Sequence, residues 1–378
     1  MNILVPVKRC TPLSLISAAI LLLVSCQPEE PMRADQSIYN FYVGTYTNGE
    51  SEGIYKYSLD AHGNLNQIGL AVKAENPSFL ATASDRKILV AVNEVMNEEG
   101  VGTVESYLVS GDTLKLLNRR SSGGAHPCFV AVKDQTVLTA NYTGGNIGLL
   151  NLDKMGRLSE LLHVQQHDGK GTTDRQQDPH AHSVWFHPIG EEVIAVDLGT
   201  NELWISTLDT TQESLSTPQR LSMEVAAGPR HLAFHPNGKW IYVINELDNT
   251  ISMVHKVNGA YRLVTSYSTL PADFEGDSFT AHVLISADGK FLYASNRGHN
   301  SIAVFQIESN GKLVLKGHKS TGGEWPRHFT LSPDEKFLLV ANQHSNNIVV
   351  LKRNCESGML KYKGEAPAPT PVCLLFDA

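Results

Sequence analysis

The sequence predicts an all-β protein, a seven-bladed β-propeller whose ring is closed by N-terminal strands pairing with the C-terminal strand. Three observations predict it. One four-strand unit recurs along the chain, its second strand ending at Asn93, Asn141, Asp197, Asn245, Asn296 and Asn342, in steps of 46 to 56 residues. Such a period with four short strands per unit marks radial repetition. The two ends of the chain complete a seventh unit: Pro371 to Phe376 is a first strand without a second, and Asn40 to Thr45 is a second strand without a first. The hairpins between first and second strands also carry turn residues, as in Pro236-Asn237-Gly238-Lys239, where Asn-Gly tolerates the positive φ of a twisted hairpin. A two-sheet sandwich would accommodate the strands but not the circular repeat.

In chain order, residues 1–25 read as a leader. Lys8-Arg9 is a positive n-region, and the apolar run from Leu13 to Val24 is short for a spanning helix. Leu23-Val24-Ser25-Cys26 resembles a bacterial lipobox, which implies lipidation at Cys26, a tether over 26–37 and a membrane contact through the lipid anchor alone. The expected location is the cell envelope, periplasmic or outer-surface. Residues 38–378 form one propeller domain, expected to be a monomer. Cys128, Cys355 and Cys373 remain, an odd set without metal-ligand spacing, so no disulfide framework, metal site or cofactor is expected. A net charge of −8 without a basic run argues against nucleic-acid binding.

The blades then follow. Their first two strands are PSFLATASDRKILVAVNE from Pro77, HPCFVAVKDQTVLTANY from His126, HAHSVWFHPIGEEVIAVDLG from His180, GPRHLAFHPNGKWIYVINE from Gly228, TAHVLISADGKFLYASNRG from Thr280 and WPRHFTLSPDEKFLLVANQ from Trp325. Third strands such as Thr103 to Tyr107 and Ser301 to Phe305 have matching alternation, as suits a sheet stacked between neighbours.

Aligning the copies separates scaffold from site. The column just inside the first strand reads Ser78, Cys128, His182, Arg230, His282, Arg327 and Val372. The column after the second-strand Asn or Asp reads Glu94, Tyr142, Leu198, Glu246, Arg297, Gln343 and Thr45. Scaffold columns should be apolar or turn-forming; these are mostly polar and differ between blades. First strands start, and second strands end, on one face of the disc, so these side chains should ring one mouth of the channel. The Asn/Asp column itself is expected to be structural, capping the loops. The longest step holds a polar loop, His167 to Pro179, which delivers Arg175 and His180 to the same mouth.

With these residues in view, residues 38–378 resemble the bacterial lactonase family of seven-bladed propellers, typified by the cycloisomerase-type 6-phosphogluconolactonases and including fungal carboxymuconate lactonizing enzymes. The resemblance rests on Arg175-Gln176, Pro179-His180-Ala181-His182-Ser183 with Val196-Asp197-Leu198-Gly199, Gly228-Pro229-Arg230-His231 with Phe234-His235-Pro236, Asn245-Glu246-Leu247, and Ser295-Asn296-Arg297-Gly298. It implies a catalytic set of His182, Glu246, Arg230 and Arg297, the same positions the two columns select. One of His182 and Glu246 would serve as general base on water, with the arginines holding the substrate anion and the oxyanion. Arg175, His180, His282, Arg327, Glu94, Tyr142 and Gln343 would bind the small-molecule lactone. Metal-independent hydrolysis of a sugar-derived lactone is the expected reaction. Muconate-type cycloisomerisation would use the same groups, and a non-catalytic propeller binding an anionic sugar or a protein would keep the mouth without the chemistry.

Overall fold

A computed structural model describes residues 37–83 and 87–377. The leader, the lipidation residue Cys26 and all but the last residue of the tether lie outside the described residues. The seven expected sheets are present. Blade 1 starts at Phe79–Thr82, blade 2 at Pro127–Lys133, blade 3 at Ala181–Phe186 and blade 4 at Pro229–Phe234. Blades 5 and 6 start at Phe279–Ile285 and Pro326–Leu331. Blade 7 is composite. Its innermost strand Pro371–Phe376 pairs antiparallel with Ile38–Thr45, in the register Phe41↔Phe376 to Gly44↔Cys373.

Each sheet is buried on both faces, so the apolar core is divided into seven interblade clusters rather than one centre. Between blades 6 and 7, for example, Phe337, Leu339 and Val350 pack on Phe41, Tyr57 and Leu374. Ring closure therefore protects two apolar sheet faces at once.

The Asn column is structural, as its recurrence predicts. Asn93, Asn141, Asn296 and Asn342 each donate a side-chain N–H to the carbonyl of the incoming link, at Glu75, Ser122, Thr269 and Thr321 (2.9–3.1 Å). Asp197 has no N–H to donate. There the link supplies the proton instead, as His167 Nδ1 lies 2.7 Å from Asp197 Oδ2, with both side chains fully buried and the imidazole stacked on Trp204. His167 thus anchors the long loop at its root, a role its sequence context did not reveal.

What positions the site is a repeated β-bulge. Register breaks after the first residue of the innermost strand between Pro127 and Phe129, Ala181 and Ser183, Pro229 and His231, and Pro326 and His328. The skipped residues are Cys128, His182, Arg230 and Arg327. A bulge leaves one residue out of the ladder and re-aims its side chain, here into the channel.

Blade 5 departs from this, and two sequence assignments need correction. The pairing Val283↔Ala294 matches Leu232↔Val243 of blade 4, so His282 is equivalent to His231, and Ala281 occupies the position of Arg230. His282 is therefore not a mouth residue. Its backbone N donates to Ser295 Oγ, and its ring stacks on His328 beside an apolar cavity at the other end of the channel. In blade 7, Thr45 pairs with Pro371 as Asn245 pairs with Pro229, so Tyr46, not Thr45, holds the position of Glu246. In both cases the alternation is unchanged and the error is one residue of phase, which transfers a side chain to the other direction.

Candidate active site

The mouth encloses a cavity of about 340 Å³ lined by Tyr46, Glu94, Cys128, Tyr142, Arg175, His182, Glu246, Phe279, Arg297, Trp325, Arg327 and Gln343. Of the residues expected there, Arg230 lies just beneath the floor, His180 stands behind Tyr142, and His282 is absent. Tyr46, Phe279 and Trp325 were not anticipated as site residues, and Cys128 stood in the first-strand column without an assigned role. Phe279 and Trp325 immediately precede their bulged segments, a column that the polar criterion passes over.

Glu246 is the centre of charge. Its Oε2 takes Arg230 Nε at 3.1 Å and Arg297 Nη2 at 2.9 Å, and its Oε1 takes Arg175 Nη2 at 3.1 Å. Burial alone would raise its pKa, but the guanidiniums, Arg297 and Arg230 foremost, hold it far below the usual carboxylate range. The result is a permanently ionised, weakly basic carboxylate that organises three arginines. Arg230 is sealed from solvent and also donates to the carbonyl of Ala281, so it acts through Glu246. Burial and the neighbouring arginines oppose its charge, and Glu246 supports it.

His182 is the complementary group. Burial, then the charge of Arg230, lowers its pKa well below that of a free histidine, although Glu246 pulls the other way. It is neutral at pH 7. Its Nδ1 faces Cys128 Sγ at 3.7 Å, and the Tyr142 ring meets its own edge-on at 5.5 Å. The Cys128 thiol is buried and its pKa is raised by that burial, so it packs as a neutral group.

Tyr142 links the loop to the mouth. Its hydroxyl accepts from Arg175 Nη2 at 3.0 Å, and its ring stacks on His180, whose Nδ1 is 3.0 Å from the Tyr142 carbonyl oxygen. His180 therefore positions Tyr142. The loop is held from inside by Gln176, fully buried, which donates to Leu198 O and Asn201 Oδ1. Opposite stands Gln343, whose Oε1 is buried without a donor among the described residues. Tyr46 donates to Glu94 Oε2 at 2.8 Å, and Arg327 lies over the Tyr46 ring. Among the described residues no group of three or more His, Cys, Asp or Glu side chains is placed to hold a metal ion.

Gly199 ties loop to scaffold. A Cβ there would collide with the carbonyl of Asp178 and lie 2.7 Å from the amide nitrogen of His180. We expect Gly199→Ala to leave the propeller folded at a cost of about 1–3 kcal/mol, as for other overpacked sites. Displacement of Arg175 should raise KM more than it lowers kcat, as steady-state kinetics would show.

A closed seven-bladed ring with a neutral histidine beside an arginine-bound carboxylate defines a β-propeller whose channel mouth is cationic and suited to an anionic ligand. Comparison with known proteins is specific. Residues 40–376 match the family model "Lactonase, 7-bladed beta-propeller". A 6-phosphogluconolactonase of Bacillus subtilis is 37% identical over 345 residues, which span 89% of this chain and 98% of that one. Among solved structures, a putative 6-phosphogluconolactonase from Bacteroides fragilis superposes with a TM-score of 0.84 at 30% identity, covering 92% of this chain and 99% of its own. A periplasmic gluconolactonase of Pseudomonas aeruginosa gives 0.85 at 30% identity, covering 90% and 99%. The chain belongs to the seven-bladed β-propeller lactonase family and is a hydrolase related to 6-phosphogluconolactonase.

Proposed function

We propose that the protein hydrolyses a sugar-derived lactone at this mouth, with His182 as the general base. What carries the reading is the contrast between two adjacent groups: Glu246, whose oxygens already accept three guanidinium bonds, and His182, which is neutral and unprotonated at pH 7. A carboxylate so loaded is a poor proton acceptor; the imidazole is the available one.

Water attacks the lactone carbonyl carbon as His182 takes its proton. The tetrahedral oxyanion forms beside Arg297, a buried cation that stabilises charge more than it would in water, while Arg175 holds the bound lactone. Collapse of the intermediate breaks the ring C–O bond, and protonated His182 returns the proton to the departing alkoxide. The product is a hydroxy acid that ionises to its carboxylate. An oxyanion close to His182 would also raise its pKa in the course of reaction, towards the value useful for proton transfer.

The body is a monomeric propeller, tethered in the cell envelope through lipidated Cys26. The lipobox-like Leu23-Val24-Ser25-Cys26 supports the lipid tether, and the periplasmic location of the Pseudomonas aeruginosa relative supports the envelope.

The test is lactone opening measured by proton release, together with identification of the product acid. His182→Asn should lower kcat by about 10²–10⁴-fold, the usual range for a lost general base, with a thermal midpoint close to that of the parent. A variant that retained full rate would remove His182 from the mechanism.

A further inference from the structure

The charges lining the mouth do not balance. Among the described residues, Arg175, Arg297 and Arg327 at the mouth and Arg230 beneath it have only Glu94 and Glu246 as carboxylate partners, so four cations against two anions leave a surplus of two positive charges. The oxyanion of lactone hydrolysis accounts for one. The second is associated with a residue that takes no part in the Glu246 cluster.

That residue is Arg327. Among the described residues its guanidinium makes no hydrogen bond, and its nearest carboxylate oxygen, Glu94 Oε2, stands at 4.0 Å. The same oxygen already accepts the Tyr46 hydroxyl, whose proton is held firmly because burial raises the phenol pKa. Arg327 is nonetheless mostly buried, its side chain 17% exposed, and it is kept charged and in place by the Tyr46 ring at 5.2 Å. A guanidinium in a cavity with its donors unspent is a site for an anion. Its place in the ring also matters. Arg327 comes from blade 6, three blades round the ring from His182 in blade 3, with Glu246 and Arg297 on the blades between, so the general base and this guanidinium lie on different sides of one cavity. With about 340 Å³ between them, the space suits a single six-carbon sugar acid.

We propose that Arg327 is a specificity subsite for a second acidic group on the lactone, a carboxylate or a phosphate ester remote from the reacting carbonyl. The proposal rests on the lactonase reading for its reaction and on the unspent guanidinium for its subsite. A neutral lactone offers the Arg327 donors no charged acceptor, whereas a lactone derived from a diacid, or one carrying a phosphate, supplies one.

The experiment compares kcat/KM for D-glucono-1,5-lactone (neutral), D-glucaro-1,4-lactone (carboxylate) and 6-phospho-D-glucono-1,5-lactone (phosphate), in the parent, Arg327→Gln and Arg327→Lys. The ratio of acidic to neutral lactone should exceed one in the parent. It should fall by about 10- to 100-fold in Arg327→Gln, the worth of a charge-assisted hydrogen-bond pair, with partial retention in Arg327→Lys. Preference for the carboxylate or for the phosphate identifies the acid group, and either supports the subsite. Equal rates on all three lactones, or a ratio unchanged by Arg327→Gln, would overturn it. Calorimetric binding of D-glucarate, 6-phosphogluconate and D-gluconate reads the subsite independently of turnover. If no lactone is opened but Arg327→Gln still selectively weakens the diacid or phosphate, the hydrolase reading fails and the subsite stands. If turnover is normal and binding shows no such selectivity, the reverse holds.

Discussion

Glu246→Ala is expected to lose at least about 10²–10³-fold in kcat/KM, the scale of removing a preorganised oxyanion donor, and about 3–5 kcal/mol of stability. The stability loss follows from what remains behind. Arg230 and Arg297 are almost wholly buried, and both bond to Glu246 Oε2. Without the carboxylate, two guanidiniums stay in a low-dielectric floor with no counter-charge and repel one another. Arg175 is half-exposed and can swing into solvent, so it adds little to that cost. Glu246→Gln, which keeps an acceptor of the same shape but not the charge, should lie between. Denaturant unfolding monitored by circular dichroism, run beside the lactone assay, separates the two effects. An alanine variant as stable as the parent would mean that the arginines do not depend on Glu246.

The second large effect is acid lability. His182, His231, His282 and His328 form a continuous buried group along the channel. His231 Nδ1 lies 2.8 Å from His282 Nδ1, and the rings of His282 and His328 stack at 4.2 Å. Burial lowers all four pKa values, His328 to about 3, with Arg230 adding to the effect on each. These histidines are neutral when folded and protonate near pH 6.5 when unfolded, so below that pH the unfolded chain binds more protons. Their contribution is present above pH 6.5 and is lost as pH falls. Each proton contributes a slope of about 1.4 kcal/mol per pH unit, so four together remove about 6–8 kcal/mol by pH 5–5.5. That is of the order of a whole domain's stability. Glu246 acts in the same direction, since its lowered pKa adds a loss below the ordinary carboxylate range.

The protein should therefore show a flat thermal midpoint above about pH 7.5 and unfold near pH 5, limits set by the histidine linkage. His231→Phe is the informative variant, because Phe79 and Phe129 occupy the same column in blades 1 and 2. It should reduce the proton uptake on unfolding by one. A midpoint constant from pH 7.5 to 5 would show that the channel histidines do not govern stability.

Much of this was open to reading in the chain. The repeated strand pairs, the split seventh blade and the structural Asn column each arise from local chemistry: alternation, turn residues and side-chain amides at fixed offsets. Eight of the predicted site residues line the mouth, Glu94, Tyr142, Arg175, His182, Glu246, Arg297, Arg327 and Gln343, with Arg230 beneath them and His180 behind Tyr142. Trp325 and Phe279 escaped because an aromatic residue before a strand is as easily part of a core.

What the sequence determined by itself is the architecture and the two columns that hold the chemistry, because both depend on periods that a single blade repeats. What only the tertiary structure decided is the aim and partnership of each side chain. Bulge phase put Ala281 rather than His282 in the position equivalent to Arg230 and Tyr46 rather than Thr45 beside Arg327, since one unpaired residue reverses a strand's alternation without altering its pattern. The division of labour between His182 and Glu246 is of the same kind. It depends on three arginines brought from separate parts of the chain onto one carboxylate, and charge compensation is a property of distance in space rather than of spacing in sequence.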